Sequence, residues 1–225
     1  MTTHKFDPSG IMFDGHPIER RDAVKLVGYT FDEKMTWSTM IDTMAKKARQ
    51  RLGMLSRLRP LLSDENMKAM YVSFIRPVME HGSMQFMGAD KIHLEKFDKI
   101  QRRAMKIGNF KVNSLRVRRE ANAIGFTLKL LDGDGRGILD SYKPKFINDR
   151  HGHETQSSDK GPQLVDRSTV GSLLSFDRSY LGCIHKIWSR LPKSLTLKGL
   201  KVGWIKIKKD CKKFITGEKK VELEV

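Results

Sequence analysis

A chain of 225 residues with 43 Lys and Arg against 26 Asp and Glu carries a formal charge of +17, too much for a protein without an anionic partner. A hydrophobic content of 39% and a mean hydropathy of −0.47 exclude wholesale disorder but promise only a modest core. No apolar run approaches the roughly 18 residues of a membrane span, the start Met1 to Asp7 lacks the apolar stretch of a signal peptide, and Cys183 and Cys211 are too few for a disulfide scaffold; the expectation is an intracellular protein of nucleus or cytoplasm, with no membrane partner.

In chain order, Ile11-Met12-Phe13 and His16-Pro17-Ile18 flank Asp14-Gly15, a favoured two-residue hairpin turn, and Ala23 to Phe31 reads as a longer apolar strand. Pro17 restricts its strand to an edge. From Thr36, placed as N-cap, the period becomes helical, with Trp37, Ile41, Met44, Ala48, Leu52 and Leu55 on one face. Lys46 and Arg57 fall opposite that face and Lys47 and Arg49 on its flanks. A second helix is expected after Ser63, with Met67, Met70, Tyr71, Phe74 and Ile75 in its stripe and a kink or end at Pro77. A third opens after Asp90, turns Leu94, Phe97, Ile100, Ala104 and Ile107 inward and Lys99, Arg102 and Lys106 outward, and closes on Gly108 as C-cap. A fourth spans Ser114 to Leu131. Residues 133–178 have little periodicity and read as a long flexible loop; a short amphipathic turn near Ile184 to Trp188 and a basic helix from Leu197 to Ile215 complete the chain. The aromatic residues Trp37 and Tyr71 and the methionines Met40, Met44, Met67 and Met70 lie at core positions, which favours packing over base stacking.

The charge is regional. Residues 37–119 carry 18 basic and 7 acidic side chains and residues 183–220 carry 12 and 2, whereas the segments between and around them are nearly neutral. That distribution suits a nucleic-acid footprint better than a uniformly solvated surface.

Catalytic motifs are missing. Asp132-Gly133-Asp134 begins like a calcium loop, but Arg136 stands at the ligating fifth position and Lys143 at the twelfth, where a bidentate Glu is needed. His151, His153 and Glu154, and Cys183 with His185, lack a second ligand pair at a metal-site spacing. The acidic pair Asp64-Glu65 suits a helix start, and Asp32-Glu33 alone does not assemble the converging carboxylates of two-metal chemistry.

The run from Val24 through Gly28, Tyr29 and Asp32 to Trp37 resembles the segment just beyond the catalytic palm in reverse transcriptases of jockey-like non-LTR retrotransposons. The similarity continues through Ala45-Lys46-Lys47-Ala48 and Arg51-Leu52-Gly53-Met54-Leu55, then Ser73-Phe74-Ile75-Arg76-Pro77-Val78-Met79-Glu80-His81-Gly82. Further blocks are Leu94 to Ile107 with its centre Ile100-Gln101-Arg102-Arg103-Ala104, Ser114-Leu115 with Arg118-Arg119, Leu128-Lys129-Leu130-Leu131, and Trp188-Ser189-Arg190-Leu191-Pro192. The resemblance covers roughly residues 11–132 and 180–215 and implies an RNA-directed DNA polymerase ancestry. It makes Leu26, Val27, Gly28 and Tyr29 primer-grip-like and the helices after Trp37 a thumb. The family's Asp-Asp box has no counterpart here, Leu26 replaces an aromatic residue and Val27 a leucine; catalysis and its Mg²⁺ belong to a palm this chain lacks, and no cofactor is expected in it.

The expected architecture is mainly α: a palm-edge hairpin remnant over 1–36, a helical thumb-like domain over 37–132, the loop 133–178 and a basic helical extension over 179–225. The expected partner is DNA or RNA, held without sequence preference by Lys46, Lys47, Arg49, Arg57, Lys99, Arg102, Arg103 and Lys106. Alternatives are a helical module that docks a protein on its apolar faces, and a decayed gene product with no selected role.

Overall fold

A computed structural model describes residues 11–18, 21–133, 164 and 180–217, with the side chains of Leu181 and Leu200 excepted. The expected loop 133–178 lies outside the described residues apart from Gly133 and Leu164. The chain is mostly helical with a small N-terminal antiparallel β portion.

That portion is two hairpins, not one hairpin and a long strand. β1 (Met12–Phe13) pairs with β2 (His16–Pro17), and β3 (Ala23–Leu26) pairs with β4 (Tyr29–Asp32). Both turns place two successive residues at positive φ, Asp14 and Gly15 in the first and Val27 and Gly28 in the second, as a tight turn matched to strand twist requires. The expected strand Ala23 to Phe31 breaks because Gly28 accepts a φ of 84° at no steric cost. β1 and β2 are exposed, whereas β4 sets Tyr29 and Phe31 against the first core.

α1 (Ser38–Arg57) begins under a cap from elsewhere in the sequence. The N-cap position is Trp37, not Thr36, whose hydroxyl accepts from Ser38 N only at 3.4 Å; both carboxylate oxygens of Asp32, at the end of β4, accept backbone N–H bonds, from Thr36 and Trp37 at 2.8 Å each. Trp37 takes a left-handed φ of 62° that drives its indole into the core. Desolvation alone raises the Asp32 pKa, yet these hydrogen bonds leave it below its ordinary value. The strand end and the helix start are thereby one unit.

α2 (Asp64–Met70), capped by the Ser63 hydroxyl, runs without interruption through a π turn (Tyr71–Ile75) into α3 (Arg76–Glu80). Pro77 therefore neither ends nor sharply breaks the helix: it lies in the first turn of α3, and the wide turn before it accommodates its missing N–H and its ring. Met67, Tyr71, Ile75 and Met79 are all essentially inaccessible to solvent. Residues spaced by four drift around a 3.6-residue helix, and the wider turn carries them back to one face. Arg51 donates from Nη1 to the Phe74 carbonyl at 2.6 Å and lies over the Phe74 ring, 4.5 Å from its centroid. Its charge serves the π turn.

α4 (Lys91–Gly108) ends on Asn109, which adopts the left-handed conformation expected of Gly108. Gly108 is needed for another reason: a Cβ there would come within 2.5 Å of the Phe110 ring. α5 (Leu115–Leu131) starts at the Ser114 cap, whose hydroxyl accepts from Val117 N at 3.2 Å. Its Leu115 joins the first core with Trp37, Ile41, Phe86 and Phe97, while its Ala123, Ile124 and Leu128 join a second.

The second core is built by α6 (Tyr180–Trp188), α7 (Lys193–Val202) and α8 (Trp204–Thr216), with Leu164 buried among them. The expected single helix Leu197 to Ile215 divides at Gly203, whose φ of 91° lets the chain turn and Trp204 N donate to Asp132 at 3.2 Å. Trp204 packs on Trp188 with ring centroids 5.0 Å apart. Trp37, Tyr71 and all four methionines of the expected stripe face the cores, three of the methionines fully buried and Met70 half-buried. Among the described residues no helix is long and apolar enough to cross a membrane.

Candidate nucleic-acid interface

Burying the apolar stripes of α1 and α4 against each other leaves their cations at the rims. Lys46, Lys47, Arg49, Arg57, Lys99, Arg102, Arg103 and Lys106 are all exposed. Arg49 from α1 and Lys99 and Arg103 from α4 line one groove of about 610 Å³ whose floor includes Leu52, Gly53 and Ile100. Asp42 is the one acid among the lining residues, and it is ion-paired to Lys96. The groove therefore presents uncompensated positive charge. Gly53 contributes by omission, since the space above its Cα is open.

Lys47 leaves this group. It lies on the other flank of α1, in a cleft of about 430 Å³ with Lys25, Gly28, Thr30 and His81, so the flanking positions Lys47 and Arg49 serve different surfaces. Lys46, Arg57, Arg102 and Lys106 line no described cavity and extend the groove's charge outward along the same two helices. Of the primer-grip-like residues, Leu26 and Val27 are 60% and 85% exposed at the tip of the second hairpin. Gly28 forms the turn, and Tyr29 turns inward, its ring stacked on His81 at 4.9 Å and 17°.

Sequence reasoning missed a second basic surface. Lys208 and Lys212 of α8 face Lys129 of α5 across a cleft of about 550 Å³, and Lys209 and Lys213 line a smaller one beside Arg118. Its signal was present in the charge of residues 183–220, but helix register there was obscured by the break at Gly203. Arg118 is committed to Glu80, donating from Nε and, at 3.1 Å, from Nη2, and that hydrogen bonding raises its pKa. Arg119 is buried, with its pKa lowered by desolvation and its Nη1 lacking a hydrogen-bond partner.

Among the described residues no group of three or more His, Cys, Asp and Glu is placed to hold a metal ion. Both oxygens of Asp32 are engaged by backbone amides. No protein-family profile, no curated protein and no solved structure matches the chain.

Proposed function

We propose that this chain is a reverse-transcriptase-derived C-terminal segment that holds nucleic acid through the α1/α4 groove and its rims, and that polymerisation requires a palm supplied elsewhere. The observation that carries the reading is the convergence of Arg49, Lys99 and Arg103 on one groove whose single lining acid is already neutralised. Such a surface attracts phosphates and reads no bases, so binding is sequence-independent and salt-sensitive. With four to six phosphate contacts, log K on duplex DNA falls with log salt at a slope of about −4 to −5. Lys99→Glu with Arg103→Glu is expected to weaken binding and flatten that slope by about 2, with helix content unchanged. An affinity no better than about 10⁻⁴ M at physiological salt, or a slope near zero, refutes the reading.

A second reading has its own support. Met54, Leu58 and Leu61 are 57%, 41% and 80% exposed at the end of α1 and just beyond it, an apolar strip that suits a protein partner. Binding of that kind weakens little with salt, which separates it from phosphate contact.

A further inference from the structure

We propose that a second path, distinct from the α1/α4 groove, takes single-stranded nucleic acid: it runs from α8 past the Tyr29–His81 stack to the far flank of α1. Two clefts that share a wall, and a third that adjoins them across the Tyr29–His81 stack, make it. The first, beside Lys209 and Lys213, shares Ala121, Asn122 and Lys212 with the second, where Lys129 and Lys208 face Tyr29 and Gly82. Tyr29 stacks on His81, and His81 lines the third cleft with Lys25 and Lys47. Along all three, Glu80 is the one lining carboxylate, and Arg118 and Arg76 both pair with it. A phosphate chain laid along this path meets cations at each step.

The aromatic step selects the strand state. His81 is exposed and nearly parallel to Tyr29, so the pair offers a stacking platform with one ring in the cleft of Lys129, Lys208 and Lys212 and the other in that of Lys25 and Lys47. Bases within a duplex are already stacked and paired, whereas an unpaired base brings its own π face to such a platform. The platform is built into the backbone: Gly82 holds a φ of +65°, and a Cβ there would lie 2.3 Å from Tyr29 Cε1 and 2.4 Å from Gln85 Oε1. Glycine is what allows the Tyr29 ring to lie against the chain at that point.

The inference rests on the nucleic-acid reading above, and the test separates the two. Fluorescence anisotropy would follow the full chain with a mixed-sequence single-stranded RNA, the matching DNA strand and the DNA duplex across a salt series. Lys208→Glu with Lys212→Glu is expected to weaken single-strand binding at least tenfold and to flatten its salt slope by about 1.4, at about 0.7 per lost contact. His81→Ala, an exposed change, is expected to cost single-strand affinity about fivefold or more, the lower end of a base–aromatic stack, with duplex affinity unmoved. Single-strand binding that responds to Lys99→Glu with Arg103→Glu but to neither of these variants overturns the path and leaves the groove standing. Absence of binding to any of the three nucleic acids overturns both. Displacement by polyglutamate at equal charge, with His81→Ala silent, overturns the single-strand assignment in favour of an acidic protein.

Discussion

Tyr71→Phe removes one oxygen from the middle of the first core, and its consequence can be worked out atom by atom. The Tyr71 hydroxyl donates to Gln101 Oε1 at 3.1 Å, and Gln101 Nε2 donates to the Asn113 carbonyl at 3.0 Å. The relay joins the π turn to α4 and to the segment leading into α5. Phenylalanine fills the same space and leaves the Gln101 oxygen without its donor at a site only 4% exposed. An orphaned buried acceptor costs about 1–3 kcal/mol, which for a chain of this length lowers Tm by about 2–12 °C. Urea denaturation followed by far-UV circular dichroism measures the cost. Gln101→Leu in the same background completes a double-mutant cycle, and the coupling energy is expected at about 1 kcal/mol or more. Burial pushes the Tyr71 pKa well above its ordinary value of 10.0. The stability it contributes is therefore fully present below pH 10, where the unfolded phenol begins to ionise, and is lost as pH rises toward the higher folded value. The Tyr71→Phe chain lacks this alkaline component. A stability within about 0.5 kcal/mol of the parent, or a cycle that is additive, refutes the relay.

Removing the cap with Asp32→Ala is expected to cost about 0.5–2 kcal/mol in the same assay. Because the folded Asp32 pKa is lowered despite its partial burial, this stabilisation is present above the unfolded value near 3.8 and disappears as pH falls through the lower folded value, so parent and variant converge in acid. Gly199→Ala in α7 would set a Cβ 2.3 Å from the Trp204 ring and 2.9 Å from Ile207 Cδ1; the overpacking is expected to cost about 1–3 kcal/mol and to shift tryptophan emission. Burial first, with Asp210 adding to it, pushes the Cys211 thiol up to about 12. Iodoacetamide at pH 8 is expected to leave Cys211 unmodified in the folded chain and to alkylate it only after unfolding, as read by peptide mass mapping.

Helices whose apolar stripe is regular were legible from spacing alone: α4 and α5 fall within a residue or two of their expected limits, α1 begins within a residue or two of its expected start, and Ser63 and Ser114 cap as their positions imply. What escaped depends on backbone conformation or on contacts remote in sequence. The turn at Val27 and Gly28 lies in an apolar run, so only the geometry reveals it. The Asp32 cap reaches across a strand end and was hidden because Thr36 occupies the usual position. The division at Gly203 shows how a lone glycine in a helical pattern is ambiguous between a tolerated residue and a break, whereas Gly53 continues its helix undisturbed. Outward cations on α1 and α4 were legible as exposed. Which of them share a groove was not, since Lys47 and Arg49 differ by two residues and serve opposite flanks.

The π turn makes chain length at residues 71–75 a constrained quantity in its own right. Deleting a single residue there would let the helix run as an ordinary α-helix, each later residue advancing by about 100°. Met79, then eleven α-helical steps from Met67, would stay within about 20° of its present face, but Pro77 would lose the wide turn before it and its ring would meet an unmoved carbonyl. The segment should tolerate apolar exchanges at Val72 or Val78, which are half-buried, far better than any change in residue count. What the proline fixes is therefore the wide turn just ahead of it, not the identities of the apolar residues that line the turn.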